Sequence, residues 1–365
     1  MNSKEFLKNY VNAYSPVNYE IEGQTIWANY IKKYVDELHS DNYGSVYGII
    51  KSKIQDENEI NGKPRYKVGI EAHADEIAFI ITYIDSSGLI YVAKHGGSDA
   101  AIAPSKKVLI HTRKNGKIPG IFGFPAIHVR KTVDEKAYKP ENLWIDLGVN
   151  DFESVKLLGV EVGNYVTFEE TYSELGDYHC GKSLDNKIGG YIIAEVAKKI
   201  KDNSITLPFD LYIINVVQEE VGLMGAKNIA QQLKLDLCLV HDVCHETTSP
   251  GYSKIKNANI VAGKGPTLEY APQNHRLVLD FIRDVADTNK IKYQLEPGSQ
   301  GNDTVAFFLA NTPTAIIASP LKYMHTTCEM IHKKDVKAAI ELFYQCLINM
   351  TCRSWKYINF DKINN

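Results

Sequence analysis

Apolar residues recur at helical spacing from the start of the chain. Phe6, Leu7, Tyr10, Val11 and Tyr14 share one face, and Trp27, Tyr30, Ile31, Tyr34, Val35 and Leu38 share another, so two helices are predicted. GSVYGIIKSK and YKVGIEA then read as strands. The second is almost continuously apolar, as in a strand covered on both faces.

From residue 77 to residue 169 the pattern changes. AFIITYIDSSGLIYVAK predicts a hairpin turning at Ser86-Ser87-Gly88, and KKVLIHTRKNGKIPGIFGF a second, with Asn115-Gly116 as a type I′ turn signal. LWIDLG and GNYVTFEE continue in short strands, and no long helix is evident. Residues 77–169 therefore read as an inserted, barrel-like all-β domain.

After the insert, helices and strands alternate. SLDNKIGGYIIAEVAKKI, GLMGAKNIAQQLK, NHRLVLDFIRDVADTNK and KKDVKAAIELFYQCLINM carry the helical pattern. LPFDLYIINVVQ, LDLCLVHDV and PTAIIASPL between them read as strands. Such alternation predicts the α/β class: a three-layer α/β/α domain on a mixed, mainly parallel sheet. Because YKVGIEA precedes the insert, that domain is discontinuous, built from residues 1–76 and 170–365.

Composition narrows the functional classes. The chain has 365 residues, 44% hydrophobic and 23% charged, with a formal net charge of −3. That balance offers no basic footprint, so nucleic acid is not an expected partner. No apolar run is long enough to span a bilayer, and MNSKEFLKNYVNAYSPV lacks a signal-peptide core. The six cysteines show no CxxC and no paired spacing, which fits reduced thiols and a cytoplasmic location.

Open α/β sheets bind ligands beyond the carboxyl ends of their strands, so the residues after each predicted strand carry the chemistry. YKVGIEA is followed by His73, Asp75 and Glu76, and LYIINVVQ by Glu219 and Glu220. LDLCLVH leads to Asp242, PTAIIASPLKYM to His325, and Asp185 opens the helix after the insert. Taken singly, His73 reads as a structural histidine, Asp185 as a first-turn acid and Asp242 as a turn former. Together they crowd several acids at one rim, which is costly without cations.

Two imidazoles and three or four carboxylates exceed one tetrahedral zinc. They suit two metals roughly 3.5–4 Å apart with a bridging carboxylate. Nitrogen and oxygen donors favour zinc, with cobalt or manganese as alternatives. Of the adjacent glutamates, one can ligate while its neighbour serves as general base to a metal-bridging water. A glycosidase would place two carboxylates across a sugar and have no use for His73, His325 and Asp242.

AHADEI, SLDNKIGG, QEEVGLMGA, HDV and YMHTTCEMI occur in that order. With these motifs the chain resembles the tetrahedral aminopeptidases, dinuclear metallopeptidases of the MH clan that include glutamyl and deblocking aminopeptidases. The resemblance implies His73, Asp185 and Asp242 on one metal, and Glu220, His325 and the shared Asp185 on the other. It implies Glu219 as general base and Asp75 as the partner orienting His73. It further implies removal of N-terminal residues from short peptides, and a β insert that pairs subunits into dimers and the dimers into a dodecamer. Where relatives usually read GGTDA, this chain reads GNDTVAF at residues 301–307, so specificity does not carry over. A carboxypeptidase or deacylase of the same clan is the alternative, and a non-catalytic assembly protein a third. Cys244, His245, His179 and Cys180 read as ordinary neighbours of the site, and His128 as structural or as an oligomer contact.

Overall fold

The computed structural model describes residues 1–54, 65–130, 139–298 and 301–357. The first strands are β1 (Glu37–Ser40), β2 (Val46–Ile50) and β3 (Lys67–His73). The insert supplies β4 (Ala78–Ile84), β5 (Ile90–His95), β6 (Lys107–His111), β7 (Lys117–Phe122), β8 (Trp144–Asp146) and β9 (Tyr165–Phe168). The chain then forms β10 (Ser173–Leu175), β11 (Tyr178–Gly181), β12 (Asp210–Val216) and β13 (Leu237–His245). It ends with β14 (Thr267–Tyr270), β15 (Gln294–Pro297), β16 (Thr314–Lys322) and β17 (Glu329–His332).

Strands outside the insert join one mixed sheet in the order β1-β2-β12-β3-β13-β16-β17-β11-β10, with β14 on β16 and β15 on β14. Its centre, β12-β3-β13-β16, is parallel, and the flanking pairs on β2, β17, β11 and β14 are antiparallel. The strand period of two divides each central strand between two cores. Val68, Ile70 and Ala72 face one core, with helices Ser3–Asn12, Ile21–Ile31, Leu184–Asp202, Arg276–Thr288 and Lys333–Ile348. Ile214, Val240 and Ile316 face the other, under helices Met224–Leu233 and Thr304–Leu309. These are the three layers that the alternation predicts.

Strands β4-β5-β8-β7-β6-β9 close into a separate antiparallel barrel. It has its own core, which includes Phe79, Val108, Phe122, Ile145 and Val166. The barrel is not wholly β, since Phe152–Leu157 forms a short helix. Ser86-Ser87-Gly88 makes the predicted reversal, with Asp85 Oδ1 accepting the N–H groups of Ser87 and Leu89. Asn115-Gly116 does not form a two-residue type I′ turn. Only Gly116 has positive φ, 73°, and the loop begins at Thr112, whose hydroxyl accepts the Asn115 N–H at 3.0 Å.

A second expectation also fails. The helical face predicted from Trp27 to Leu38 stops at Ile31, and Leu38 lies on β1. Asp41 Oδ1 accepts the N–H groups of Tyr43 and Ser45. That turn folds β1 back onto β2, with Leu38 opposite Gly48, so strand pairing overrides helical spacing. Among the described residues, no helix is long and apolar enough to cross a membrane.

Candidate metal centre

Sheet register brings the strand-end residues together. His73 pairs with Val216 across β3 and β12, so Glu219 and Glu220 follow just beyond the same sheet edge. His73 continues the alternation of Gly69 and Glu71, away from the core of Val68, Ile70 and Ala72. Asp242 lies on β13 opposite Ala318 of β16. His325 sits in the turn between β16 and β17, and Asp185 at the second residue of helix Leu184–Asp202. That helix is irregular there: Asp185 has φ −76° and ψ 108°.

The side chains form two triads with one common member. His73, Asp185 and Asp242 offer ligand atoms all within 4.8 Å of one another, and so do Asp185, Glu220 and His325. His73 Nε2 lies 3.2 Å from Asp185 Oδ1 and 3.7 Å from Asp242 Oδ1. His325 Nε2 lies 3.2 Å from both Asp185 Oδ2 and Glu220 Oε1. The two oxygens of Asp185 thus face different imidazoles.

Two further carboxylates hold the backbone of this cluster. Asp75 accepts the N–H groups of Glu219 and Glu220, each at 3.0 Å, and its Oδ1 lies 3.5 Å from His73 Nδ1. Glu329 accepts the N–H of Asp185 at 3.0 Å and that of His325 at 2.8 Å. Sequence reasoning missed Glu329. Its signal was the acid four residues after His325 in YMHTTCEMI. Ser183, Gln218, Tyr323 and His325 all adopt positive φ, between 52° and 61°, where a non-glycine residue carries about 1–3 kcal/mol of strain. Gln218 and His325 thereby turn the chain at the cluster itself.

The electrostatics suit cations. Burial pushes the carboxyls of Glu219, Glu220 and Asp242 above their ordinary values. Burial would raise Asp185 too, but His325 and His73 outweigh it and hold this carboxyl low. Burial opposes charge on His325, yet Asp185 and Glu220 raise it to about 11. These imidazoles take up protons where a bound metal would place positive charge. The donor set, all imidazole nitrogen and carboxylate oxygen around a shared Asp185, therefore fits divalent metal.

Other singled-out residues have different roles. Glu76, adjacent to Asp75, turns away and accepts from Lys182 Nζ at 2.5 Å and from the Ser15 N–H at 2.6 Å. Cys244 and His245 end β13 and line the cavity that holds both triads, but belong to neither triad. His179 Nδ1 pairs with the Tyr172 hydroxyl at 2.7 Å. His128 lies in an exposed turn of the barrel domain. Asp303, in GNDTVAF, is buried beside Glu71, and burial raises both carboxyls, Glu71 to about 8. The barrel domain also reaches the cluster. A Cβ on Gly97 would stand 2.3 Å from His325 Nδ1, and one on Gly96 3.2 Å from the Cβ of Glu220.

A three-layer α/β/α scaffold with two such triads at its sheet edge defines a hydrolase of the metallopeptidase class. Residues 57–342 match the model of the family described as M42 glutamyl aminopeptidase, and the chain belongs to that family. FrvX of Escherichia coli (strain K12), a protein named as an aminopeptidase, is 30% identical over 91% of each chain. The lysyl aminopeptidase of Pyrococcus furiosus is 25% identical over 93% of this chain and 94% of its own. The TET aminopeptidase of Thaumarchaeota archaeon SCGC AB-539-E09 superposes with a TM-score of 0.88. It is 27% identical, and the match covers 96% of this chain and 97% of that one.

Proposed function

We propose that this chain removes N-terminal residues from short peptides with two divalent ions, zinc first and cobalt or manganese as alternatives. The observation that carries this reading is Asp185, whose two oxygens are divided between the His73 and His325 triads. When bound, the ions supply Lewis acidity and a water acidic enough to attack near neutral pH.

His73 and Asp242 would hold one ion, Glu220 and His325 the other, and Asp185 both. Glu219 is then free for proton transfer. Its carboxyl lines the cavity that holds both triads, where a base can take a proton and later return it to the leaving amine. Asp75 fixes the Glu219–Glu220 backbone and faces His73, so it acts as a positioning residue. Among the described residues, no arginine lines the cavity to receive a substrate carboxylate. That favours an aminopeptidase over the carboxypeptidase alternative.

In this reading the barrel domain, residues 77–169, serves assembly into dimers and then a closed dodecamer. Ile121, Ile127 and Val129 on it are 50%, 68% and 70% exposed, and closed symmetry would cover such patches. The six free cysteines suit a reducing, cytoplasmic setting.

Metal analysis combined with a screen of aminoacyl anilides tests the proposal. Two ions per chain and cleavage of free but not N-acetylated substrates are expected. A single ion in the fully active enzyme would sink the dinuclear reading, and efficient internal cleavage of blocked peptides the exopeptidase one. Light scattering of a monomer at micromolar concentration would remove the assembly role.

A further inference from the structure

Asp185 and Asp242 come to the first triad from different elements, helix Leu184–Asp202 and strand β13. Their chain neighbours Asn186 and His241 lie behind them. The strand period sends Asp242 to the face of Val240, and His241 to the opposite face with Leu239 and the larger helical core. There His241 meets Asn186, and the two residues are only 1% and 0% exposed.

Each residue holds the other. Asn186 Nδ2 donates to the His241 carbonyl oxygen at 2.8 Å. Asn186 Oδ1 accepts the Gly189 N–H at 3.1 Å and faces His241 Nδ1 at 3.3 Å. Only the amide nitrogen can donate to a carbonyl and only its oxygen can accept from an N–H, so this amide has a single orientation. That orientation requires a hydrogen on His241 Nδ1. Nε2 of the same ring pairs with Ser319 Oγ at 2.9 Å. A hydrogen-bonded line therefore runs from β16 through His241 to Asn186 and back to the β13 main chain. Gly189 leaves room for it, since a Cβ there would stand 2.3 Å from Asn186 Oδ1 and 2.6 Å from His241 Nδ1.

This line comes where other support ends. The ladder of β3 on β13 runs only as far as Val240, so at Asp242 the strand is paired with β16 alone. Asp185 is held through its N–H by Glu329. The second triad has ties of its own, Asp75 on the Glu220 N–H and Glu329 on that of His325. Neither Asn186 nor His241 lines the cavity. Any effect they have on the chemistry passes through the ligands beside them.

We infer that Asn186 and His241 are positioning residues for the first ion, fixing Asp242 against Asp185 while leaving the second ion to Asp75 and Glu329. The inference rests on the dinuclear reading, so its test measures metal binding one triad at a time in the full-length chain. His325→Ala leaves the first triad complete, and His73→Ala the second. Titration with cobalt against a chelator, read from visible absorption, gives a Kd for each. Adding His241→Leu should cost the first triad about 10–100-fold in affinity and leave the second unchanged. His241→Asn keeps an amide nitrogen at the Nδ1 position and should restore most of that loss. His241→Gln puts its nitrogen at the Nε2 position instead, toward Ser319, and should lose affinity as leucine does. The asparagine and glutamine variants decide the matter even where leucine prevents folding. Equal losses in those two would assign the effect to packing and overturn the inference. So would unchanged affinity of the first triad, or equal losses at both triads. Absence of cobalt from the unaltered protein would instead remove the metal reading, and this inference with it.

Discussion

The Oδ1 atom of Asp75 accepts the backbone N–H of Glu219 at 3.0 Å. The same atom lies 3.5 Å from His73 Nδ1, so one carboxylate couples the ends of β3 and β12. Asp75→Asn should therefore weaken two things together. The amide would turn an N–H donor toward a backbone N–H, and loss of such a partner typically costs about 10–100-fold in metal affinity. Chelator competition measures that loss. Turnover should stay low even at saturating metal, because the Glu219 segment is displaced. Full recovery of kcat with added metal would confine Asp75 to His73.

Adjacent glutamates should separate cleanly by variant. Glu219→Gln should keep metal content near that of the unaltered protein while turnover falls by about 10²–10⁴-fold. Glu220→Gln should instead lower occupancy of the ion shared with His325. Asp185→Ala should lose more metal than either His73→Ala or His325→Ala, since it removes an oxygen from each triad. Elemental analysis beside steady-state kinetics checks all of these, and exchanged behaviour of the two glutamates would reverse their roles.

Gly97 belongs to the barrel domain, yet it backs the second triad. In Gly97→Ala the new Cβ would meet His325 Nδ1 at 2.3 Å, and the ring must shift from its present place against Asp185 and Glu220. Loss of one ion per chain with an almost unchanged Tm is the expected result. Normal metal content would show that the ring accommodates the methyl group in place.

Glu76 gives a prediction for pH. Burial would raise its carboxyl, but Lys182 and Lys187 outweigh burial and hold it at about 2. Lys182 is the firmer partner, at 2.5 Å against 3.4 Å, and burial presses Lys187 down to about 7. A depressed carboxyl stabilises the fold above its unfolded value near 4.5, and that contribution fades as pH falls toward 2. Glu76→Gln leaves buried lysines without their counter-charge, a loss of about 3–5 kcal/mol for a broken buried pair. Denaturant unfolding should show this deficit at neutral pH and a smaller one at pH near 3. A pH-independent deficit would assign the effect to packing.

Much of the candidate centre is legible because it follows from strand ends. An apolar run that stops at HADE, QEE or HDV announces polar side chains at a sheet edge, whatever the order of the strands. Glu269 and Glu296, which line the same cavity as the triads, are not legible in this way. TLEY and QLEP are short and only partly apolar, so neither has the periodicity that identifies a strand. Glu269 and Glu296 consequently look like surface acids until β14 and β15 pair. Tyr34, Val35 and Leu38 fail for the opposite reason, since their spacing is helical but the Asp41 turn favours a hairpin.

By itself, the sequence determined the layer architecture, the inserted barrel and the residue types available at the sheet edge. These depend on local periodicity and turn chemistry, which act over a few neighbouring residues. Tertiary structure alone decided which oxygen of Asp185 meets which imidazole, and that Asp75 and Glu329 each clamp two site amides. It also brought Gly97 of the barrel against His325. Apart from the four-residue step from His325 to Glu329, those relationships join residues between 112 and 228 positions apart, beyond the reach of any local pattern. They follow from strand register and from the few left-handed residues that turn the chain at the rim.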